Sequence, residues 1–125
     1  MIVLLDAHAL LWWANDDPTL SEPARRTIMD PTNAVLVSAA TIWEIEVKRI
    51  AGRLEAPAHI LDEAERSGFD VIPLTGADAV AAANLPAHHR DPFDRLLIAQ
   101  ALRLDAIVIS RDRAFDAYGV HQLLA

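Results

Sequence analysis

Four carboxylates draw attention by where they fall relative to the apolar runs of this chain. Asp6 closes Met1-Ile2-Val3-Leu4-Leu5, and Asp112 follows Ala106-Ile107-Val108-Ile109 after Ser110 and Arg111. Glu44 and Asp94 fall just beyond the starts of two further elements. Acids set just past the carboxyl ends of strands in an α/β chain are placed to hold a cation or to react. Carboxylate oxygens are the ligands that Mg²⁺ and Mn²⁺ select. Four of them in one pocket repel one another, and a divalent cation relieves that repulsion.

Each acid also has a purely structural explanation. Asp6 can cap the helix that follows it. Glu44 can form an i,i+4 surface pair with Lys48, worth about a few tenths of a kcal/mol. In Asp91-Pro92-Phe93-Asp94, Asp91 can be the N-cap, Pro92 the first helical residue and Asp94 a first-turn acid favoured by the helix dipole. Asp112 can cap a last short helix. Yet Asp94 opens the segment Arg95-Leu96-Leu97-Ile98-Ala99-Gln100-Ala101, which is apolar nearly all round and so reads as a buried helix. An acid at the start of a buried helix needs a partner. A shared metal pocket of Asp6, Glu44, Asp94 and Asp112 accounts for all four at once, with Asp91 as an additional carboxylate beside it.

Other side chains gather around these acids in the sequence. Arg90, Arg95 and Arg111 are candidates for phosphate contact, salt bridges to neighbouring carboxylates being the plainer alternative. Ser38 and Thr41 are candidates to hydrogen-bond the acids. His88 and His89 read as a solvated polar loop, metal ligation being the minor alternative. Core packing is the default for Trp12, Trp13 and Trp43. Adjacent Trp12 and Trp13 point about 100° apart on a helix, so burying both calls for a broad interface.

The elements that must position these residues alternate regularly. Strands are expected at Ile2–Leu5, Ala34–Val37, Phe69–Pro73, Ala106–Ile109 and Val120–Leu123. Helices are expected at Ala7–Asn15, Ser21–Asp30, Ala39–Arg53, Pro57–Ser67 with Gly68 as C-cap, Thr75–Leu85, Pro92–Leu104 and Arg113–Tyr118. Strands alternating with helices imply right-handed βαβ units and a mostly parallel, helix-covered sheet. Asp6 and Asp112 would meet at its carboxyl edge if the first and fourth strands were neighbours.

Bulk composition narrows the classes. A chain of 125 residues that is 53% hydrophobic is long enough for one domain with a real core, and it is not of disordered composition. Cysteine is absent, which fits a reducing compartment and leaves no thiolate chemistry. The apolar start lacks a basic flank and is interrupted at Asp6, so it reads as a strand and not a signal peptide. No run is long enough to span a bilayer, and a cytoplasmic protein with no membrane contact is expected. The net charge of −7 counts against broad non-specific nucleic-acid binding.

Taken in order, four blocks resemble the PIN-domain nucleases, in particular the VapC-type toxins of bacterial toxin–antitoxin pairs. They are Leu4-Leu5-Asp6-Ala7-His8-Ala9-Leu10-Leu11-Trp12-Trp13, Ser38-Ala39-Ala40-Thr41-Ile42-Trp43-Glu44-Ile45, His89-Arg90-Asp91-Pro92-Phe93-Asp94-Arg95-Leu96-Leu97-Ile98-Ala99-Gln100-Ala101 and Ile109-Ser110-Arg111-Asp112. The likeness spans essentially the whole length, residues 1–125, as a single PIN domain. It implies an α/β three-layer fold with a five-stranded sheet in the order 3-2-1-4-5. It also implies Mg²⁺- or Mn²⁺-dependent endoribonuclease activity, an RNA substrate, a cognate antitoxin and a homodimer. Asp6, Glu44, Asp94 and Asp112 would be both catalytic and metal-binding, and Arg90, Arg95 and Arg111 would meet RNA phosphates.

Other chemistries fit less well. A haloacid-dehalogenase-like phosphatase wants a second Asp two residues after Asp6, where His8 stands. A phospho-receiver wants an acceptor Asp after its third strand, and Pro73-Leu74-Thr75-Gly76 offers none. A serine hydrolase wants a Gly-rich nucleophile turn, and none is present. The remaining alternative is a non-catalytic PIN-like module that binds RNA or protein.

Overall fold

Strand β1 (Ile2–Leu5) runs through the middle of an all-parallel sheet, between β2 (Ala34–Ser38) and β4 (Ile107–Ile109). Outside them lie β3 (Asp70–Ile72), against β2, and β5 (Gln122–Leu123), against β4. The order is therefore 3-2-1-4-5, as the resemblance implies. The computed structural model describes all residues, 1–125.

Side chains alternate across this sheet, and both faces are apolar. Val3, Leu5, Val35, Val37 and Ile109 point to one core, Leu4, Leu36 and Val108 to the other. A parallel sheet needs this, because its crossover helices cover both sides. Val3, Leu4 and Leu5 are fully buried, each contributing about 1.5–3 kcal/mol. The strand that carries Asp6 is thus among the most firmly anchored parts of the molecule.

On the first face pack α1 (Ala7–Ala14), α2 (Glu22–Met29), α4 (Ile60–Arg66) and the inner side of α3 (Ala39–Ile50), through Leu10, Ile28, Ile60 and Ile45. On the second lie α6 (Pro92–Leu104) and a 3-10 helix (Arg113–Tyr118), through Leu97, Ile98 and Phe115. Helix α5 (Gly76–Ala83) packs on α6. No helix is long and apolar enough to cross a membrane.

Element ends follow local chemistry. Ser21 and Ser38 cap α2 and α3, and Gly68, at φ +81°, takes the left-handed turn beyond α4. Helix α3 ends at Ile50 and not at Arg53, because the chain turns left-handed at Gly52, φ +72°. Helix α4 starts at Ile60, later than Pro57. The outer strands are shorter than their apolar runs. Phe69 and Val120 turn into the cores and leave the ladder to Asp70–Ile72 and Gln122–Leu123. Apolar runs mark burial, and burial outlasts strand pairing at both ends.

Candidate active site

The register pairing Leu5 with Ile109 makes the residues after β1 and β4 neighbours. The Asp6 N–H donates to the Ile109 carbonyl at 3.2 Å, extending the pairing by one step. Asp6 then caps α1, its Oδ1 accepting the Ala9 N–H at 2.9 Å. Asp112 caps the 3-10 helix, accepting from the Ala114 N–H at 2.9 Å. Capping engages one oxygen of each carboxylate, so the structural role and a pocket role coexist. Between them stands Ser110, fully buried. Its Oγ accepts the Asp112 N–H at 3.0 Å, and its hydroxyl also hydrogen-bonds the Asp6 carboxylate.

Helix α6 brings the third acid. Asp91 Oδ1 accepts the N–H groups of Phe93 and Asp94 at 2.9 and 3.1 Å, and Pro92 fills the first helical position. This start holds Asp94 in the first turn, where the helix dipole favours its charge. Helix α3 supplies Glu44, which is 7% exposed and bonded to Lys48 Nζ at 2.6 Å. Asp6, Glu44, Asp91, Asp94 and Asp112 all line one cavity of about 440 Å³, with Lys48 and Arg111 also on its wall.

The acids feel one another. Burial, then the Asp91 charge, pushes the Asp94 carboxyl up to about 7; the hydrogen bond from His89 pulls the other way and Glu44 adds repulsion. Burial also raises Asp6, opposed by the bonds from Ser110 and the Ala9 N–H, with Glu44 again repelling. Glu44 therefore acts on both Asp6 and Asp94. Ionising this set together calls for a compensating positive charge. The donors are carboxylate oxygens, which fit a hard dication such as Mg²⁺ or Mn²⁺.

A profile of the PIN domain family matches residues 3–120, over nine-tenths of the chain. The chain belongs to the PIN domain family. Among solved structures it is similar to VapBC2 from Rickettsia felis bound to a promoter DNA fragment, with a TM-score of 0.74 at 13% identity, covering 99% of this chain and 98% of that one. DNA-bound VapBC from Salmonella typhimurium gives 0.72 at 17% identity over 98% and 97%. FitAcB from Neisseria gonorrhoeae gives 0.64 at 19% over 97% and 96%. No curated protein matches the sequence significantly.

Several side chains of this PIN domain stand elsewhere than the sequence implied. His89 is no solvated loop residue. Its side chain is 17% exposed and its Nε2 lies 2.8 Å from Asp94 Oδ2 and 3.1 Å from Asp112 Oδ2. His89, Asp94 and Asp112 each bring one potential ligand atom within 4.8 Å of the others. Arg95 faces away from the acids. Its guanidinium donates to the carbonyls of Ala82, Ala83, Leu85, Pro86 and His89, binding the end of α5 and the loop after it. Arg90 borders a separate cavity with Ala79 and Pro92. Of the three arginines only Arg111 lines the acidic pocket; it lies 4.7 Å over the Trp12 ring and donates to the carbonyls of Thr19 and Ala125.

Ser38 Oγ accepts its own helix's Ala40 N–H at 3.1 Å, and the buried Thr41 hydroxyl has no protein partner, so neither bonds an acid. Trp12 and Trp13 are half-buried against the first core without a second molecule, Trp13 Nε1 donating to Ser67 Oγ at 3.1 Å. Trp43 is 60% exposed, its ring edge-on to Phe93. The inner stripe of α3 is Ala40, Thr41, Glu44 and Ile45. One residue's rotation of about 100° turns Trp43 outward.

Proposed function

We propose that this PIN domain is a divalent-cation-dependent endoribonuclease and the toxin of a VapC-type toxin–antitoxin pair. The observation that carries this is the convergence of Asp6, Glu44, Asp94 and Asp112, from four separate chain segments, on one cavity at the carboxyl edge of the sheet. Asp6, Asp94 and Asp112 would hold Mg²⁺ or Mn²⁺, with Asp6 and Asp94 the principal ligands, and Glu44 would complete the acidic set. When bound, such a cation polarises phosphoryl oxygens and acidifies water. The chain's own contribution is to fix Asp6, Asp94 and Asp112 at helix starts and Glu44 within a helix, so that little reorganisation accompanies reaction. Glu44 would orient the attacking water and accept its proton. Lys48 and Arg111 are the cationic groups on the pocket wall and would meet the phosphate.

A protein partner has a surface to use. Trp43, Val47 and Ile50 are 60%, 40% and 75% exposed and recur at helical spacing along α3, on the side away from its buried stripe. Such an apolar stripe supports contact with an antitoxin or a second copy in a homodimer. The solved structures that share the fold include VapBC complexes on DNA. A cytoplasmic location would suit both RNA and antitoxin.

Purified protein should cleave RNA with Mg²⁺ or Mn²⁺ and stop with EDTA. Asp94→Asn should lower the rate by about 100-fold or more, the scale of losing an electrostatic group from such a site. Cleavage unchanged by Asp94→Asn would overturn the assignment. A protein that binds RNA but never cuts it would instead be a binding module.

A further inference from the structure

His89 is held from every side, more firmly than a loop residue needs to be. Its N–H donates to the Tyr118 hydroxyl at 2.7 Å and its carbonyl accepts from Arg95 Nη1 at 3.0 Å. Its ring stands edge-on to fully buried Phe115. Tyr118 in turn donates to the Pro86 carbonyl at 2.7 Å, and Arg95 ties down the loop's other carbonyls. The loop from Leu85 to Asp91 is thus fastened to α5, α6 and the 3-10 helix, and His89 is the side chain it delivers to the acids.

The ring's orientation fixes which nitrogen carries the proton. Nδ1 accepts the Arg90 N–H at 3.0 Å and lies 3.4 Å from the Asp91 N–H. A proton on Nδ1 would meet those two donors head-on, so Nδ1 keeps its lone pair and Nε2 bears the hydrogen. That N–H points between Asp94 Oδ2 and Asp112 Oδ2. An Nε2 bearing hydrogen has no lone pair for a cation. His89 is therefore a donor to the acids and not a ligand beside them.

We infer that His89 is a positioning residue of the cation site: its Nε2–H draws the Asp94 and Asp112 carboxylates into the convergent geometry in which they bind a dication. The inference rests on the cation-binding function proposed above. Asp112 gains most, since its side chain is 45% exposed and has only a helix cap besides His89 to orient it. Without the shared donor, two like charges from different elements would swing apart, and binding would have to pay again for their approach. Groups that hydrogen-bond ligating carboxylates commonly carry about 10- to 100-fold of metal affinity.

The test is Mn²⁺ binding to RNA-free protein by calorimetry, read beside circular dichroism to show that each variant is folded. His89→Ala should weaken Mn²⁺ by about tenfold or more. His89→Gln, whose amide can place an N–H where Nε2 stands, should recover most of that loss. Equal or tighter binding by His89→Ala would overturn the inference, as would a folded His89→Gln no better than His89→Ala. Should His89→Ala fail to fold, ¹⁵N NMR of the wild-type imidazole decides. An unprotonated Nδ1 and protonated Nε2, kept when Mg²⁺ is added, support the inference; the opposite tautomer, or coordination of Mg²⁺ at Nε2, overturns it. A wild-type protein with no Mn²⁺ affinity would instead defeat the nuclease proposal itself, and this inference with it.

Discussion

Arg103 closes on Asp78 with two hydrogen bonds, Nε to Oδ1 at 2.7 Å and Nη2 to Oδ2 at 3.1 Å, and so pins α5 to α6, the helix that opens with Asp94. Asp78 is 2% exposed and also completes a capping box with Thr75 and accepts from Gln100 Nε2. Arg103, with the Thr75 and Gln100 bonds, draws its carboxyl down to about 2. Asp78→Ala should therefore cost about 2–3 kcal/mol, from the lost cap and the lost charge-assisted bonds. Thermal unfolding checks this, with a fall of roughly 10 °C expected for a chain of this size. Because the folded value lies below the ordinary 3.8, the stabilisation is present above that pH and is lost as pH falls toward about 2. The variant should accordingly lose less stability to acid than the wild type.

Asp94 has the opposite sign. Its folded value, about 7, lies above the ordinary 3.8, so the neutral acid is favoured by folding and the charged one is not. Stability from this group is complete below 3.8 and declines as pH rises through about 7. Cation-free protein should melt lower at pH 8 than at pH 5.5, by at least a few degrees. Excess Mg²⁺ should raise the melting temperature more at pH 8 than at pH 5.5, because a dication favours the ionised acid. A melting temperature that stays flat between the two pH values, with or without Mg²⁺, would rule this out. Asp94→Asn should reduce the pH dependence, leaving the part of the same sign that buried Asp6 contributes.

Much of this architecture was legible in the residues alone, for a physical reason. Apolar runs of strand length with acids at their ends reflect backbone burial and edge placement, both local in sequence. Asp6 after Leu5 and Asp112 after Ile109 could be read before β1 and β4 were known to pair. The N-cap at Asp91 was legible because Asp-Pro at a helix start is a short-range signal. His89 was not, because its partners are far apart: Asp112 and Tyr118 lie 23 and 29 residues away. Its sequence signals were its place two residues before the Asp91 cap and five before Asp94, at the head of the block that resembles the family. Asp78 drew no attention for the same reason, since Arg103 approaches it across 25 residues. Arg95 misled because proximity in sequence to Asp94 says nothing of side: residues adjacent on a helix point about 100° apart.

Arg95 should matter to the site without touching it. Its planar guanidinium reaches carbonyls on both α5 and the following loop, a geometry that a lysine ammonium cannot reproduce. Arg95→Lys should cost about 1–3 kcal/mol through unsatisfied carbonyls. It should also weaken Mn²⁺, since the loop presenting His89 is no longer fastened. The decisive comparison is with His89→Ala in the same background. If Arg95 acts through His89, the double variant should lose no more Mn²⁺ affinity than the worse single one. Additive losses would mean that Arg95 reaches the acids by another route.

Lys48 sets up a competition that can be measured directly. Its ammonium sits 2.6 Å from Glu44 Oε2, so the pocket already holds one positive charge on an acid that also repels Asp6 and Asp94. A dication recruiting Glu44 must share it with that ammonium. Lys48→Met removes the competitor, an ammonium that also stands 5.8 Å from the Phe93 ring centroid, while keeping an apolar stem of similar length. Mn²⁺ should then bind tighter, by about threefold to tenfold, equivalent to roughly 0.6–1.4 kcal/mol of a partly buried pair. RNA should bind less well, because the pocket wall has lost one of its two cationic groups. Calorimetry with Mn²⁺ and a KM measurement on RNA should therefore move in opposite directions. Glu44→Gln, which deletes the contested acid, should weaken Mn²⁺ and leave Lys48 free for phosphate. A Lys48→Met protein with unchanged Mn²⁺ affinity would show that Glu44 serves only its helix neighbour, and would take it out of the cation set.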